Sequence, residues 1–241
     1  MSDETVYLVA KDYSAACVYA GEHETALRFW SHALTSSRNS PKAADAIPAD
    51  NASEYDATPA HRKLAEEFIG FVRQNLANGD NFIDLCCGTG LNAEFLDRPD
   101  SRTIGIDLEL GGLKAAGRIH YFHELLEGSI EDMLPTLPAA HFDAIWCCGA
   151  LYFFHDLRPL FAQAARLLKP DGILAFNAWP GDPENDVRIT RGGTPRYCHS
   201  KAYLESCASD NGFSLKDFKW RVAYHMPNWF MAFQKTGNSK G

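Results

Sequence analysis

An α/β fold built on a doubly wound, mostly parallel sheet, preceded by a small helical hairpin, is what this sequence predicts, and three observations lead there. Short apolar runs alternate with helical patterns from Phe82 onward, as successive βαβ units require. The first such run, Phe82-Ile83-Asp84-Leu85, passes through Cys86 and Cys87 into a glycine turn, Gly88-Thr89-Gly90, and then into a helical pattern starting at Leu91. The second, Thr103 to Leu108, carries an acid, Asp107, at its carboxyl end. Together they predict a Rossmann-like sheet of seven strands.

Composition narrows the field. With 241 residues and 46% hydrophobic content, the chain can bury one sizeable core plus an appendage. A net charge of −8, with no run of Lys or Arg, argues against a nucleic-acid substrate. The sequence Met1-Ser2-Asp3-Glu4-Thr5 is no signal leader and no apolar run approaches membrane length, so a cytoplasmic protein without membrane association is expected. Seven cysteines, an odd number, suit reduced thiols. Cys86-Cys87 and Cys147-Cys148 fall at expected strand ends, where neighbours point to opposite faces, so no metal site is expected.

Residues from about 13 to 34 predict two short helices around Gly21, with Ala26, Trp30, Ala33 and Leu34 on one face. This stretch resembles a single tetratricopeptide repeat. A lone repeat cannot bury its own apolar face, so it must dock on the main domain, on a second subunit as a homodimer, or on a protein partner. An ordinary amphipathic hairpin explains the pattern equally well. Residues 35 to 54 predict a linker, which divides the chain into a helical segment and linker (1–50) and a main domain (51–241). Thr58 and Pro59 then mark a helix start, and Leu64, Phe68, Val72 and Leu76 a stripe running to a stop near Gly79.

The glycine turn admits two ligands. Gly88-x-Gly90-x-x-Ala93, with Asp107 seventeen residues after Gly90, satisfies a loose dinucleotide pattern and would make the chain an NAD-dependent dehydrogenase. Asp84-Leu-Cys-Cys-Gly-Thr-Gly, however, resembles the first motif of class I S-adenosylmethionine (SAM) methyltransferases, with Cys86 where that motif usually has its first glycine. Two later segments extend the likeness: Gly128-Ser129-Ile130, similar to the adenine-binding turn, and Leu167-Leu168-Lys169-Pro170-Asp171-Gly172. The Arg196-Tyr197-Cys198-His199-Ser200 segment, the repeat-like hairpin and the Tyr121 to Glu127 run resemble predicted bacterial methyltransferases that carry tetratricopeptide repeats.

That resemblance implies a methyl transfer from SAM, with Asp84, Cys86, Gly88 and Gly90 forming the cofactor turn. Asp107 would accept both ribose hydroxyls and Leu108 would underlie the adenine. Ser129 would accept from the adenine amino group, and Ile130 would offer its N–H and an apolar contact. Cys148 and Gly149, after the fourth strand, would border the methionine, and Tyr55 would close over the cofactor or staple the following helix. Tyr152, His155, Arg196, Tyr197 and His199 are the catalytic and substrate-binding candidates, expected on loops at strand ends. Tyr152 and His155 could equally serve a helix start, and Arg196 could be an ordinary surface cation or a fork for an anionic acceptor. His199 is the favoured proton acceptor, because imidazole titrates near neutral pH. The acceptor is expected to be a small molecule attacked in line, for which positioning supplies most of the catalysis. A weakened SAM-binding scaffold that recruits a protein through its hairpin is the alternative, suited by the departures at Cys86, Ser129 and Gly149.

Overall fold

The computed structural model describes residues 3–36, 52–76, 78–182, 187–190 and 196–237, with the side chains of 3–9, 34–36 and 187–190 left aside. The chain opens with α1 (Asp3–Tyr19) and α2 (His23–Ser36). The first helix starts well before residue 13 because Val6 to Ala10 run consecutively apolar, so no single stripe announces it. Ala26, Trp30 and Ala33 are fully buried, as their shared face requires, while the side chain of Leu34 lies outside the described residues.

This face is covered within the chain itself. Trp30 donates from its indole N–H to the carbonyl of Pro180 at 3.0 Å and meets Trp179 edge-on. Cys17, Val18 and Ala26 pack against Trp220 and Val222. Removing a fully buried Trp side chain costs about 3–5 kcal/mol, so the contact is substantial. Of the three docking alternatives, the main domain is the one that covers these residues.

Of the expected linker, residues 37–51 lie outside the described residues, and its end is helical: α3 (Ala52–Ala57) carries Tyr55 and Asp56. Then α4 (Pro59–Asn75) buries Leu64, Phe68 and Val72. Thr58 holds the N-cap position, but its hydroxyl donates back to the Glu54 carbonyl instead of capping. The helix stops at Leu76, short of Gly79, where the backbone turns extended to feed the sheet.

The strands are β1 (Asn81–Leu85), β2 (Arg102–Asp107), β3 (Glu124–Glu127), β4 (Phe142–Cys147), β5 (Leu168–Ala178), β8 (Phe213–Ala223) and β9 (Met226–Lys235), in the order β3-β2-β1-β4-β5-β9-β8. A short ribbon, β6 (Val187–Thr190) with β7 (Arg196–His199), stands apart from this sheet. Six strands of the sheet run in one direction and β9, between β5 and β8, runs against them, so the expected seven-stranded, mostly parallel architecture is present. Regular pairing of β5 with β4 resumes at Ile173, beyond the Lys169 to Gly172 turn, where Asp171 takes a φ of 64°.

Side-chain alternation sorts the core into two layers. Ile83, Leu85, Ile145 and Cys147 face one side, under α8 (Arg158–Leu167) and α9 (Lys201–Asp210). Phe82, Ala144 and Trp146 face the other, under α4. Among the described residues no helix is long and apolar enough to cross a membrane, and no cluster of three or more His, Cys, Asp or Glu is placed to hold a metal.

Candidate active site

Strand order reverses between β1 and β4, and that switch point is where an open α/β sheet leaves a crevice at its carboxyl edge. Here a cavity of about 50 Å³ opens into a wider cleft. Cys86, Gly88 and Thr89 line it from the β1 side, Cys148 and Gly149 from the β4 side.

The turn that follows β1 depends on left-handed backbone. Gly88 and Gly90 take φ of 55° and 82°, and a Cβ at Gly90 would stand 3.1 Å from Arg118. Cys86 also takes a positive φ, 54°, which a side chain bears at a cost of about 1–2 kcal/mol. The structure thus shows why a glycine would be at home there. Asp107 ends β2 with one carboxylate oxygen accepting from Gly88 N–H at 2.8 Å and the other from Glu109 N–H at 3.3 Å. Each oxygen retains a lone pair for a further donor. Leu108 beside it is 67% exposed, an apolar side chain with no protein cover.

Asp84 lies beneath this turn, not on the cavity wall. Strand alternation sends its side chain to the α4 face, in register with Trp146. It is fully buried, with Asn92 donating at 3.4 Å to one oxygen and no partner for the other. Burial pushes its carboxyl up to about 8, against the Asn92 bond.

Other expected positions depart from expectation. Ser129 caps the short helix α7 (Ile130–Met133): its hydroxyl accepts from Asp132 N–H and donates to the Asp132 carboxylate, so it is committed locally. Ile130 turns its side chain into the core beside Leu134, which leaves its N–H rather than its side chain for a ligand. His199 sits in β7 and not on a loop. It is 1% exposed, its Nε2 lies 3.3 Å from the His155 carbonyl, and burial pushes it down to about 4. A histidine so sealed cannot take a proton from a substrate at neutral pH. Arg196 is likewise buried, over the rings of Phe153 and Tyr152 at 4.1 and 5.6 Å, and is no surface cation. Tyr197 packs edge-on against the exposed His155. These three ribbon residues lie outside the cavity lining. Tyr152 is half-buried, stacked on Trp179 at 4.5 Å. Burial raises its phenol, with Tyr55 and Cys148 adding to the effect. Thr194 and Pro195, before the ribbon strand, lie outside the described residues.

The strap formed by α3 and the start of α4 carries the expected Tyr55 and, beside it, residues the sequence did not disclose. Tyr55 lines the cavity and stacks on His61 at 3.6 Å, and Tyr224 meets His61 edge-on at 5.1 Å. Burial holds the Tyr55 phenol up at about 12. Asp56 accepts from the Thr89 hydroxyl at 2.6 Å and pairs with Arg118. Arg118 and Arg62 both reach Glu94, at 2.5 and 2.8 Å, and hold its carboxyl low against the opposing effect of burial. The strap is thereby tied to the glycine turn. Convergence of such distant segments leaves no local signature. Tyr224 and His225 turn β8 into β9 with φ of 53° and 57°, without the Gly or Asn that usually announces such a turn.

Comparison with known proteins agrees with this layout. A methyltransferase domain family model matches residues 83–176. The malonyl-[acyl-carrier protein] O-methyltransferase of Serratia marcescens is 28% identical over 127 residues, which cover 52% of this chain and 48% of that protein. The chain thus spans about half the length of that relative. The ubiquinone biosynthesis O-methyltransferase of Psychrobacter arcticus is 26% identical, covering 73% of this chain and 76% of its own. Among solved structures, the 1,6-didemethyltoxoflavin-N1-methyltransferase of Burkholderia thailandensis, with bound S-adenosylhomocysteine, superposes with a TM-score of 0.61. It is 19% identical and covers 83% of this chain and 93% of that one. The chain thus shares the fold of that solved methyltransferase, and its residues 83–176 match a methyltransferase domain.

Proposed function

We propose that the chain binds SAM at the β1–β4 switch point and transfers its methyl group to a small-molecule acceptor. The observation that carries this is the gathering of Gly88, Asp107 and Cys148 around one crevice, each from the carboxyl end of a different strand. The residues present suit the cofactor. Asp107 has lone pairs for the ribose, and Leu108 is a largely exposed apolar platform. Ser129, with one lone pair left beside its cap, and the N–H of Ile130 border the adenine in this reading. Bound SAM supplies an electrophilic methyl; the chain's part is to orient the acceptor and exclude water. Methyl-transferring relatives and the shared fold support the same reading.

Calorimetry with SAM tests it, together with transfer of a labelled methyl group to a metabolite extract. Binding in the micromolar range and label in a low-molecular-weight product are expected; no binding at high micromolar concentration overturns the proposal. Asp107→Ala should weaken SAM binding by about 1.5–3 kcal/mol, the loss of a charged acceptor. Unchanged affinity would place the ribose elsewhere.

A further inference from the structure

His61 has both its tautomer and its orientation set by the protein. Its Nδ1 lies 2.7 Å from the main-chain oxygen of Tyr55. A carbonyl only accepts, so Nδ1 carries the proton and Nε2 keeps the lone pair. Among the described residues Nε2 has no hydrogen-bond partner. Tyr55 stacked on one face and Tyr224 on an edge hold the ring, which lines the same cavity as Gly88 and Cys148. The titratable groups that face it are Tyr55 and Asp56 from α3, Tyr224 from the β8–β9 turn, and Cys148 after β4; its neighbour Arg62 is engaged with Glu94. Burial pushes the imidazole below its usual 6.5, against the pull of the Tyr55 carbonyl and Asp56, so the ring is neutral at pH 7.

The lining residues also constrain the acceptor. None of the described lining residues is Lys, Arg, Asp or Glu, so an acceptor beside His61 meets no charged side chain there. Two phenols, Tyr55 and Tyr224, supply flat walls, with Tyr152 close to both.

Resting on the methyl-transfer reading above, the geometry points to Nε2 of His61 as the general base that deprotonates the hydroxyl of a planar aromatic acceptor. A phenol with a pKa near 10 is ionised to roughly one part in a thousand at pH 7, so attack through its oxygen needs such a base. As the oxygen–carbon bond forms, the donor's carbon–sulfur bond breaks with its electron pair passing to sulfur. The hydroxyl proton goes to Nε2 and is later released to solvent.

The test uses the full chain, His61→Gln and a series of 4-substituted phenols of graded acidity. Nitrogen-15 NMR of the wild-type protein without cofactor should show a neutral His61 ring protonated on Nδ1; a proton on Nε2 overturns the assignment. Wild-type turnover of unsubstituted phenol should fall in acid, below pH 6.5. His61→Gln should lose at least about a hundredfold on phenol. On 4-nitrophenol, already ionised at pH 7.5, it should stay within about threefold, with SAM affinity unchanged. Equal turnover of phenol by both proteins, a parallel loss of SAM binding in the variant, or no phenol methylated by the wild type overturns the inference. Failure of the wild type to bind SAM would instead overturn the parent proposal.

Discussion

His61 and His199 both set one ring nitrogen near a main-chain oxygen and both lean on a tyrosine, yet they belong to regions of opposite character. His61, in the strap, has its second nitrogen beside a cavity; His199, in the β6–β7 ribbon, has its second nitrogen sealed at 1% exposure with no partner. Residue type and a neighbouring serine make His199 the more inviting of the two in the sequence. Access decides otherwise, because a base must reach a proton before its affinity for one matters. The ribbon supports the architecture, and the strap lines the cavity.

Four substitutions can break this contrast or sharpen it. His199→Phe bears on it most strongly. The native His199 titrates at about 4, below the ordinary 6.5, so the unfolded chain binds the extra proton between those values and the native protein loses stability as pH falls through that window. The full effect is about 3 kcal/mol. Urea midpoints measured from pH 7 to 4 should fall less steeply in His199→Phe than in the wild type, with SAM affinity intact. Parallel curves, or lost SAM binding, would return His199 to the site. Asp56→Asn comes next: weakening its links to Arg118 and Thr89 should cost about 1–2 kcal/mol in thermal unfolding and loosen SAM binding together. Loss of stability without loss of affinity would detach the strap from the ligand. The caps give the smallest effects. Ser200 accepts from Tyr203 N–H at 3.1 Å, so Ser200→Ala should cost about 1 kcal/mol, whereas Thr58→Ala, whose hydroxyl caps nothing, should stay within about 0.5 kcal/mol.

Local chemistry made much of the fold legible. β1 and β4 are short apolar runs, and the Asp84 to Gly90 stretch declares its turn through glycines that only left-handed backbone demands. Asp107 could be placed because it ends a strand beside that turn. The capping role of Ser129 was not legible, since a serine before a short helix caps it as readily as it binds a base. Asp56, His61, Arg118 and Tyr224 gave no signal, because they meet only once α3, α4 and the β8–β9 turn have packed around the crevice. Arg196 and His199 misled for the converse reason: polar residues beyond a strand end read as a loop, and the ribbon that buries them lies outside the regular βαβ rhythm.

The placement of β9 bears on what can fold alone. The matched domain segment ends at residue 176, yet β5 forms its outer edge with β9, from Ile173 opposite Gln234 to Ala178 opposite Trp229. A fragment cut to 83–176 would expose that edge as a bare hydrogen-bonding template and strip the α4 cover from Trp146. It would also lack Tyr224 and His61. Recombinant expression of the matched segment should therefore give an aggregating product, because the cover of its sheet comes from the strap, α4 and the last two strands.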